Sequence, residues 1–88
     1  MIQVIGIKLS PPQPHLQHIQ NLKYVQNQEE KICTRSQMVT YLNEGNKAYV
    51  ARNGYMVYLQ AVNNVNPPYV KTEPDRTTQD NLLALPTF

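Results

Sequence analysis

The N-terminal part of the chain carries a run of β-branched and other apolar residues. Residues Ile2–Leu9 read Ile-Gln-Val-Ile-Gly-Ile-Lys-Leu and stop at Ser10-Pro11-Pro12. A run of this kind bounded by prolines predicts a strand followed by a proline-rich loop. Gly6 inside the run indicates a bulge or a close approach by another part of the chain.

A second mixed run follows this loop. Residues Ile19–Gln26 combine apolar and polar side chains, and we interpret them as a second strand. The next residues, Asn27–Glu30, are polar and predict a loop, in which Glu29 and Glu30 form a solvated turn rather than a pair of catalytic carboxylates. The short apolar piece Lys31–Cys33 comes after it.

A helix is predicted in the middle of the chain. Thr34 is a good N-cap residue, and Gln37 stands three positions later, where a capping box requires it. The apolar stripe of this helix consists of Met38, Val39, Tyr41 and Leu42. Gly45 is the expected residue just beyond its C-terminus. A helix of only about two to three turns must be stabilised by packing on a sheet.

Asn53-Gly54 lies between two strand-like runs, Lys47–Arg52 and Tyr55–Val62. Asn-Gly favours a type I′ turn, in which both central residues have positive φ, so the pattern predicts a two-residue β-hairpin. The implied register pairs Arg52 with Tyr55, Val50 with Val57 and Tyr49 with Tyr58. Two tyrosines should therefore lie opposite each other on one face of the hairpin.

The chain ends in a segment of different composition. Residues 63–68 form a polar, proline-stiffened break, and the run Tyr69–Thr72 is long enough only to add to a sheet edge. From Glu73 onward the sequence has no period. Apolar residues return near the C-terminus and can anchor the segment; these are Leu82, Leu83 and Leu85.

Together these elements predict the α+β class. We expect a single domain over residues 1–88, with an antiparallel sheet of four to five strands and one short helix on one face. Residues 69–88 are expected to form a C-terminal docking and binding arm. Because a domain of this size has a thin core, association into a homo-oligomer would be a natural supplement.

Composition argues against several functional classes. Eight Lys and Arg against six Asp and Glu give a net charge of +2, and the basic residues are scattered, which argues against nucleic acid as a partner. No apolar run is long enough to cross a bilayer, so no membrane partner is expected. The single cysteine, Cys33, rules out an internal disulfide, fits a reducing cytoplasm and is interpreted as a small apolar residue.

The sequence contains no catalytic or metal-binding pattern. His15 and His18 have no Cys, Asp or Glu at a metal-ligand spacing, and the three glycines do not form a phosphate-binding loop. We therefore predict a protein that is not an enzyme and has no cofactor.

The arm has the densest mixture of polar side chains in the chain. Within it stand Tyr69, Lys71, Thr72, Asp75, Arg76, Asp80 and Asn81. Basic side chains bind phosphate, Asp and Asn accept hydrogen bonds from hydroxyl or amine groups, and a tyrosine ring stacks on a base. The alternative is a solvated loop that the C-terminal leucines dock onto the core.

The arm also carries a resemblance. The order of elements and the residues Tyr69–Thr72, Pro74-Asp75, Asp80–Leu82 and Leu85-Pro86 resemble those of a family of small bacterial and phage proteins of unknown function. In tail pattern and size the chain also resembles the Thoeris anti-defence sponge proteins of phages. Those proteins sequester cyclic ADP-ribose signals, or in some relatives cyclic oligonucleotides, as oligomers and without cleavage. A chain of this kind would act in the host cytoplasm.

Two hypotheses follow. The first is a nucleotide sponge: a homo-oligomer that binds a cyclic nucleotide signal without cleaving it. Its expected ligand contacts are Tyr69, Lys71, Thr72, Asp75, Arg76, Asp80 and Asn81, with Arg35, Arg52, Tyr49 and Tyr58 at the subunit boundary. The second is a protein-interaction module that binds a partner through the arm or the hairpin edge.

Overall fold

A computed structural model of the chain describes residues 1–10, 15–52, 54–73 and 81–88. In these ranges it contains six strands, one α-helix and one short 3-10 turn. The strands are β1 (Ile2–Leu9), β2 (Ile19–Gln26), β3 (Glu29–Thr34), β4 (Ala48–Arg52), β5 (Tyr55–Val62) and β6 (Tyr69–Thr72). The helix α1 is Arg35–Asn43, and the 3-10 turn is Leu16–His18.

The described strands form one six-stranded sheet in the order β3-β2-β1-β4-β5-β6. The α+β class is confirmed, but the expected four to five strands is one or two too few. The expectation of a purely antiparallel sheet is also wrong, because β1 pairs with β4 in parallel, Ile2 beside Ala48 and Gln3 beside Tyr49. This pairing joins two antiparallel groups, and α1 connects them by leading from the edge strand β3 back to β4.

The turn between β2 and β3 differs from its prediction. Asn27 and Gln28 both have positive φ, 52° and 67°, and close a two-residue turn with Gln26 opposite Glu29. Glu29 and Glu30 therefore begin β3 instead of lying in a loop, although both are exposed as expected. A left-handed turn without glycine gave no sequence signal, since Gly normally occupies such positions.

Helix α1 begins and ends where its sequence predicts. The Thr34 hydroxyl accepts a hydrogen bond from the Gln37 N–H at 3.1 Å, and the Gln37 side-chain oxygen accepts one from the Thr34 N–H at 2.9 Å. At the other end Gly45 has φ +91°, and its N–H donates to the Leu42 carbonyl. Met38 and Val39 are buried and carry the contact with the sheet.

The core lies between α1 and one face of the sheet. Its buried members are Ile2, Val4, Ile7, Ile19, Leu22, Met38, Val39, Ala48, Val50, Val57, Leu59, Val70 and Leu82. In the hairpin, Val50 pairs with Val57, as predicted, and both point into this core. The sheet curves around it, since α1 contacts β2 and β3 on one side and β5 and β6 on the other.

The C-terminal end of the arm docks onto its own chain. The Ile7 N–H donates to the Pro86 carbonyl at 3.0 Å, and the Phe88 N–H donates to the Ile7 carbonyl at 3.0 Å. Thr87 therefore pairs in parallel with Ile7 of β1. The residues of β1 that pair with β4, Ile2 and Gln3, lie at the other end of this strand. Leu82 is fully buried in the core, so the predicted apolar anchor is present.

Gly6 explains how the C-terminus approaches so closely. The β1–β2 register shifts between Val4 and Gly6, which is the bulge that the sequence predicted. A Cβ at Gly6 would lie 3.3 Å from the Pro86 carbonyl oxygen and 3.4 Å from the Phe88 ring. Both expectations for this glycine, a bulge and a close approach, are met at one position.

Candidate ligand cleft

The outer face of the sheet, away from α1, collects tyrosines. Tyr49 pairs with Tyr58 as predicted, and side chains two residues apart on a strand share a face. Lys71 lies opposite Gln60, and Tyr69 opposite Val62, on the same face. We call this surface the tyrosine face; its members are Tyr49, Tyr58, Gln60, Val62, Tyr69 and Lys71. Most of them are half-buried, so their rings and stems form a continuous surface.

Lys47 adds a cation beside this face. Its ammonium nitrogen lies 5.3 Å from the centroid of the Tyr58 ring, within the range of a cation–π contact. Lys47 occupies this position because the chain leaves α1 at Gly45 and turns toward β4. The pair offers one aromatic ring and one positive charge at the same point on the surface.

A cleft opens next to Tyr58, between the C-terminal end of α1 and β5. Its volume is about 290 Å³, at the lower end of the roughly 300 to 1,000 Å³ of small-molecule sites. The lining comprises Leu42, Asn43, Gly45, Asn46, Lys47, Tyr58, Leu59, Gln60, Ala61, Asn63 and Glu73. Lys47 and Glu73 give it one positive and one negative side chain, and four amide side chains supply donors and acceptors.

Hydrogen bonds fix the walls of the cleft. Asn43 and Asn63 exchange two side-chain bonds, of 3.1 and 2.9 Å, which tie the end of α1 to the segment after β5. The Asn46 amide donates to the Tyr41 carbonyl at 3.1 Å. The Glu73 N–H donates to the Tyr58 carbonyl at 2.8 Å, which fixes the Glu73 backbone beside β5. These bonds hold the polar walls in place without a ligand.

The expected ligand residues of the arm separate into two groups. Tyr69 and Lys71 belong to the tyrosine face. Thr72 and Asn81 are buried, 4% and 2% exposed, and the Asn81 N–H donates to the Thr72 hydroxyl at 3.3 Å. This bond helps to attach the returning chain to β6. The buried pair lies on the core side of β6, since Val70 and Thr72 alternate with Tyr69 and Lys71.

Arg35, a further expected contact, is not brought to the cleft. Arg35 is at the N-terminal end of α1, opposite the end that forms the cleft, and its guanidinium donates to the Gln17 carbonyl. Asp75, Arg76 and Asp80 lie outside the described residues, as does the side chain of Arg52.

Cys33 lies apart from the cleft. Burial raises the pKa of the Cys33 thiol from its ordinary value of 9.0 to about 11, so the side chain stays neutral near pH 7. This agrees with its interpretation as a small apolar residue.

Within residues 1–10, 15–52, 54–73 and 81–88, no three His, Cys, Asp or Glu side chains gather where they could hold a metal ion.

Sequence reasoning missed most of the cleft. Asn43, Asn63 and Glu73 are far apart in the chain and meet only because α1 ends beside β5. Lys47 carried a signal that could have found it, because it begins the predicted run Lys47–Arg52 and stands two residues before Tyr49, on the same face of an extended chain. The tyrosine pair was found, since hairpin register follows from the turn.

The fold and cleft define a small α+β protein with a mixed sheet, a C-terminus that pairs with β1 and a polar cleft at one end of the helix. The chain belongs to the family described as protein of unknown function (DUF3892), whose model matches residues 3–86. The expectation that the chain belongs to a family of unknown function is confirmed. No curated protein and no solved structure matches the chain.

No helix among the described residues is long and apolar enough to cross a membrane.

Proposed function

We propose that this chain is a non-catalytic binding protein that sequesters a cyclic nucleotide signal in the cleft beside Tyr58. The proposal keeps the anti-defence sponge function that the arm suggested. It moves the ligand from the arm to the cleft and the adjoining tyrosine face. The bound compound would be a cyclic ADP-ribose or a cyclic oligonucleotide, and it would leave the site intact.

The observation that carries the proposal is the pairing of Lys47 with the Tyr58 ring at 5.3 Å. A nucleotide combines a flat base with a charged phosphate, and this pair offers a ring for the first and an ammonium for the second. The Tyr49 ring, directly opposite Tyr58, extends the stacking surface. A ligand that stacks on Tyr58 would bring its phosphate within reach of Lys47.

The polar lining supports binding of the rest of the ligand. Glu73 can accept hydrogen bonds from ribose hydroxyls, and the Gln60 and Asn46 amides can bond base edges or hydroxyls. Lys71, opposite Gln60 on the same face, is a second cation for a cyclic compound with more than one phosphate. Because the walls are tied by hydrogen bonds, little ordering would be needed on binding.

A thermal-shift panel tests the site. A ligand present at about one hundred times its dissociation constant stabilises by about 2.7 kcal/mol, which for a domain of this size raises Tm by about 10 to 20 °C. Tyr58→Leu keeps an apolar strand residue but removes the ring, and Lys47→Gln removes the charge. We expect each variant to bind the ligand at least tenfold more weakly and therefore to show a smaller rise in Tm.

The matched controls are Tyr24→Leu, a half-buried tyrosine on the core side of the sheet, and Lys8→Gln, an exposed lysine on β1. Both should retain the full shift. If cyclic ADP-ribose isomers and cyclic oligonucleotides all leave Tm unchanged, or if the control variants lose binding as much as Tyr58→Leu does, the proposed site is wrong.

Binding of a protein partner is the second candidate, and its geometry is more restricted than the sequence suggested. The end of the arm is engaged with Ile7, so a partner would have to displace it. The β4–β5 hairpin pairs with β1 only at Ala48 and Tyr49 and with β6 only over Leu59–Val62, so a sheet edge is limited to the half of the hairpin nearer its turn. A partner would therefore use an outer strand or the half of the hairpin nearer its turn, where Met56 is 47% exposed.

A further inference from the structure

We propose that β3 is a self-association edge, and that it pairs antiparallel with β3 of a second copy to join two six-stranded sheets into one. Strand β3 stands at one end of the strand order, and its described residues are almost all exposed. The tyrosine face belongs to β4, β5 and β6, toward the other end of this order. The inference therefore does not depend on the proposed ligand.

The register identifies which backbone groups of β3 point outward. Gln26 and Glu29 close a two-residue turn, so this pair exchanges backbone hydrogen bonds, and so does every second pair along the ladder, up to Cys33 with Leu22. The Asn21 amide bonds the Cys33 carbonyl at 3.5 Å, which agrees with that carbonyl lying on the β2 side. The N–H and C=O groups of Glu30 and Ile32 therefore face away from β2.

The exposed apolar residue of this edge is Ile32, which follows the charged residues Glu29, Glu30 and Lys31. Ile32 is 57% exposed, the most exposed of the described large apolar side chains after Met1. An outward-reaching lysine is one of the features that protect edge strands, but the Lys31 ammonium donates to the Gln26 side-chain oxygen of its own chain at 3.4 Å. The unpaired backbone at Ile32 is thus left accessible beside an exposed apolar side chain.

Symmetry and charge select one register for a second copy. An antiparallel pair of identical strands has its two-fold axis at a residue that faces itself. Centring on Glu30 or on Lys31 would place like charges opposite each other, which is destabilising. Centring on Ile32 places the two isoleucines together and sets Glu30 opposite Thr34 and Lys31 opposite Cys33. The two Ile32 residues would then exchange their outward N–H and C=O groups.

This arrangement places both α1 helices on the same side of the joined sheet, because the axis is perpendicular to it. Pairing at Ile32 covers the two most exposed apolar side chains of the edge with each other. It also removes two unpaired edges, which in a monomer are open to pairing with any extended strand.

The test is the molar mass of the full chain, measured by light scattering and sedimentation over a hundredfold concentration range. The chain is expected to be a dimer at the upper concentrations. Ile32→Pro removes an outward N–H and part of the apolar side chain but no donor of the β2–β3 ladder, so that ladder is retained while the intermolecular bonds are lost. Ile32→Lys keeps the N–H and removes the apolar contact. Both variants should be monomeric throughout, with circular dichroism unchanged.

Val65→Lys is the control, because Val65 is also an exposed apolar residue, 46% accessible, but lies outside the strands. It should dimerise like the original chain. Concentration-dependent protection of the Ile32 amide from hydrogen exchange gives a second readout if either variant fails to fold. A chain that is monomeric at every concentration, or an assembly that Ile32→Pro and Ile32→Lys leave intact, would overturn the proposal.

Discussion

Replacing Leu82 by alanine measures how firmly the C-terminal arm is built into the fold. Leu82 is fully buried, and it follows Asn81, whose backbone bonds Thr72. Truncating a buried leucine removes its transfer free energy and leaves a cavity, which together cost about 2 to 5 kcal/mol. Stabilities of small domains are about 5 to 15 kcal/mol, so the change removes a large fraction of the total.

The assay is urea unfolding followed by circular dichroism, with a thermal scan as a second readout. At about 4 to 8 °C per kcal/mol for a domain of 60 to 100 residues, Tm should fall by at least about 8 °C. Val65→Ala, at an exposed apolar residue, should change stability by less than about 0.5 kcal/mol. If Leu82→Ala costs less than about 1 kcal/mol, the arm is not part of the core and the docking described here is incorrect.

Three further changes test local features. Thr34→Ala should cost about 0.5 to 2 kcal/mol because it breaks the capping box, whereas Ser36→Ala should be nearly neutral; equal losses would contradict the cap. Gly6→Ala should destabilise the chain through the Pro86 carbonyl, and the penalty should shrink when residues 86–88 are deleted; a penalty that deletion leaves unchanged has another origin. Since burial raises the pKa of Cys33 to about 11, iodoacetamide labelling should keep accelerating above pH 9 in the native state and level off near pH 9 in urea. Because the folded pKa is the higher one, the free energy of unfolding should be largest below pH 9 and should decline as pH rises toward 11. If labelling of the native chain levels off near pH 9 instead, the thiol is solvated.

The elements with local signals were predictable. The bounds of β1 and β2 and the capping box at Thr34 follow from residues close together in sequence. So does the Asn53-Gly54 hairpin register, since a two-residue turn fixes every pair beyond it. These predictions succeeded because one short segment contained all the information they required.

The parts that failed depend on distant contacts or on unusual turn residues. Asn27 and Gln28 adopt left-handed conformations without glycine, so β3 was mistaken in part for a loop. The parallel pairing of β1 with β4 joins segments separated by two strands and a helix, and no local pattern reports it. The docking of Thr87 beside Ile7 is equally non-local, although Gly6 did indicate that something approaches there.

For the candidate site, the sequence identified the tyrosine face better than the arm. Tyr69 and Lys71 lie on that face, but Thr72 and Asn81 turn toward the core. A four-residue strand with polar residues on both of its faces, Lys71 on one and Thr72 on the other, does not reveal which face is buried, because the neighbouring strand decides it. The polar residue that stabilises the arm and the polar residue that could bind a ligand look the same in sequence.

The central claim is that the cleft beside Tyr58 holds a nucleotide signal without breaking it. The most direct measurement is to incubate the purified chain with cyclic ADP-ribose isomers and cyclic oligonucleotides, remove unbound compound, denature the protein and determine the mass of what is released. We expect one intact compound, retained by the original chain and by Tyr24→Leu but lost from Tyr58→Leu. Release of nothing from the original chain, or of a cleaved product, would contradict it.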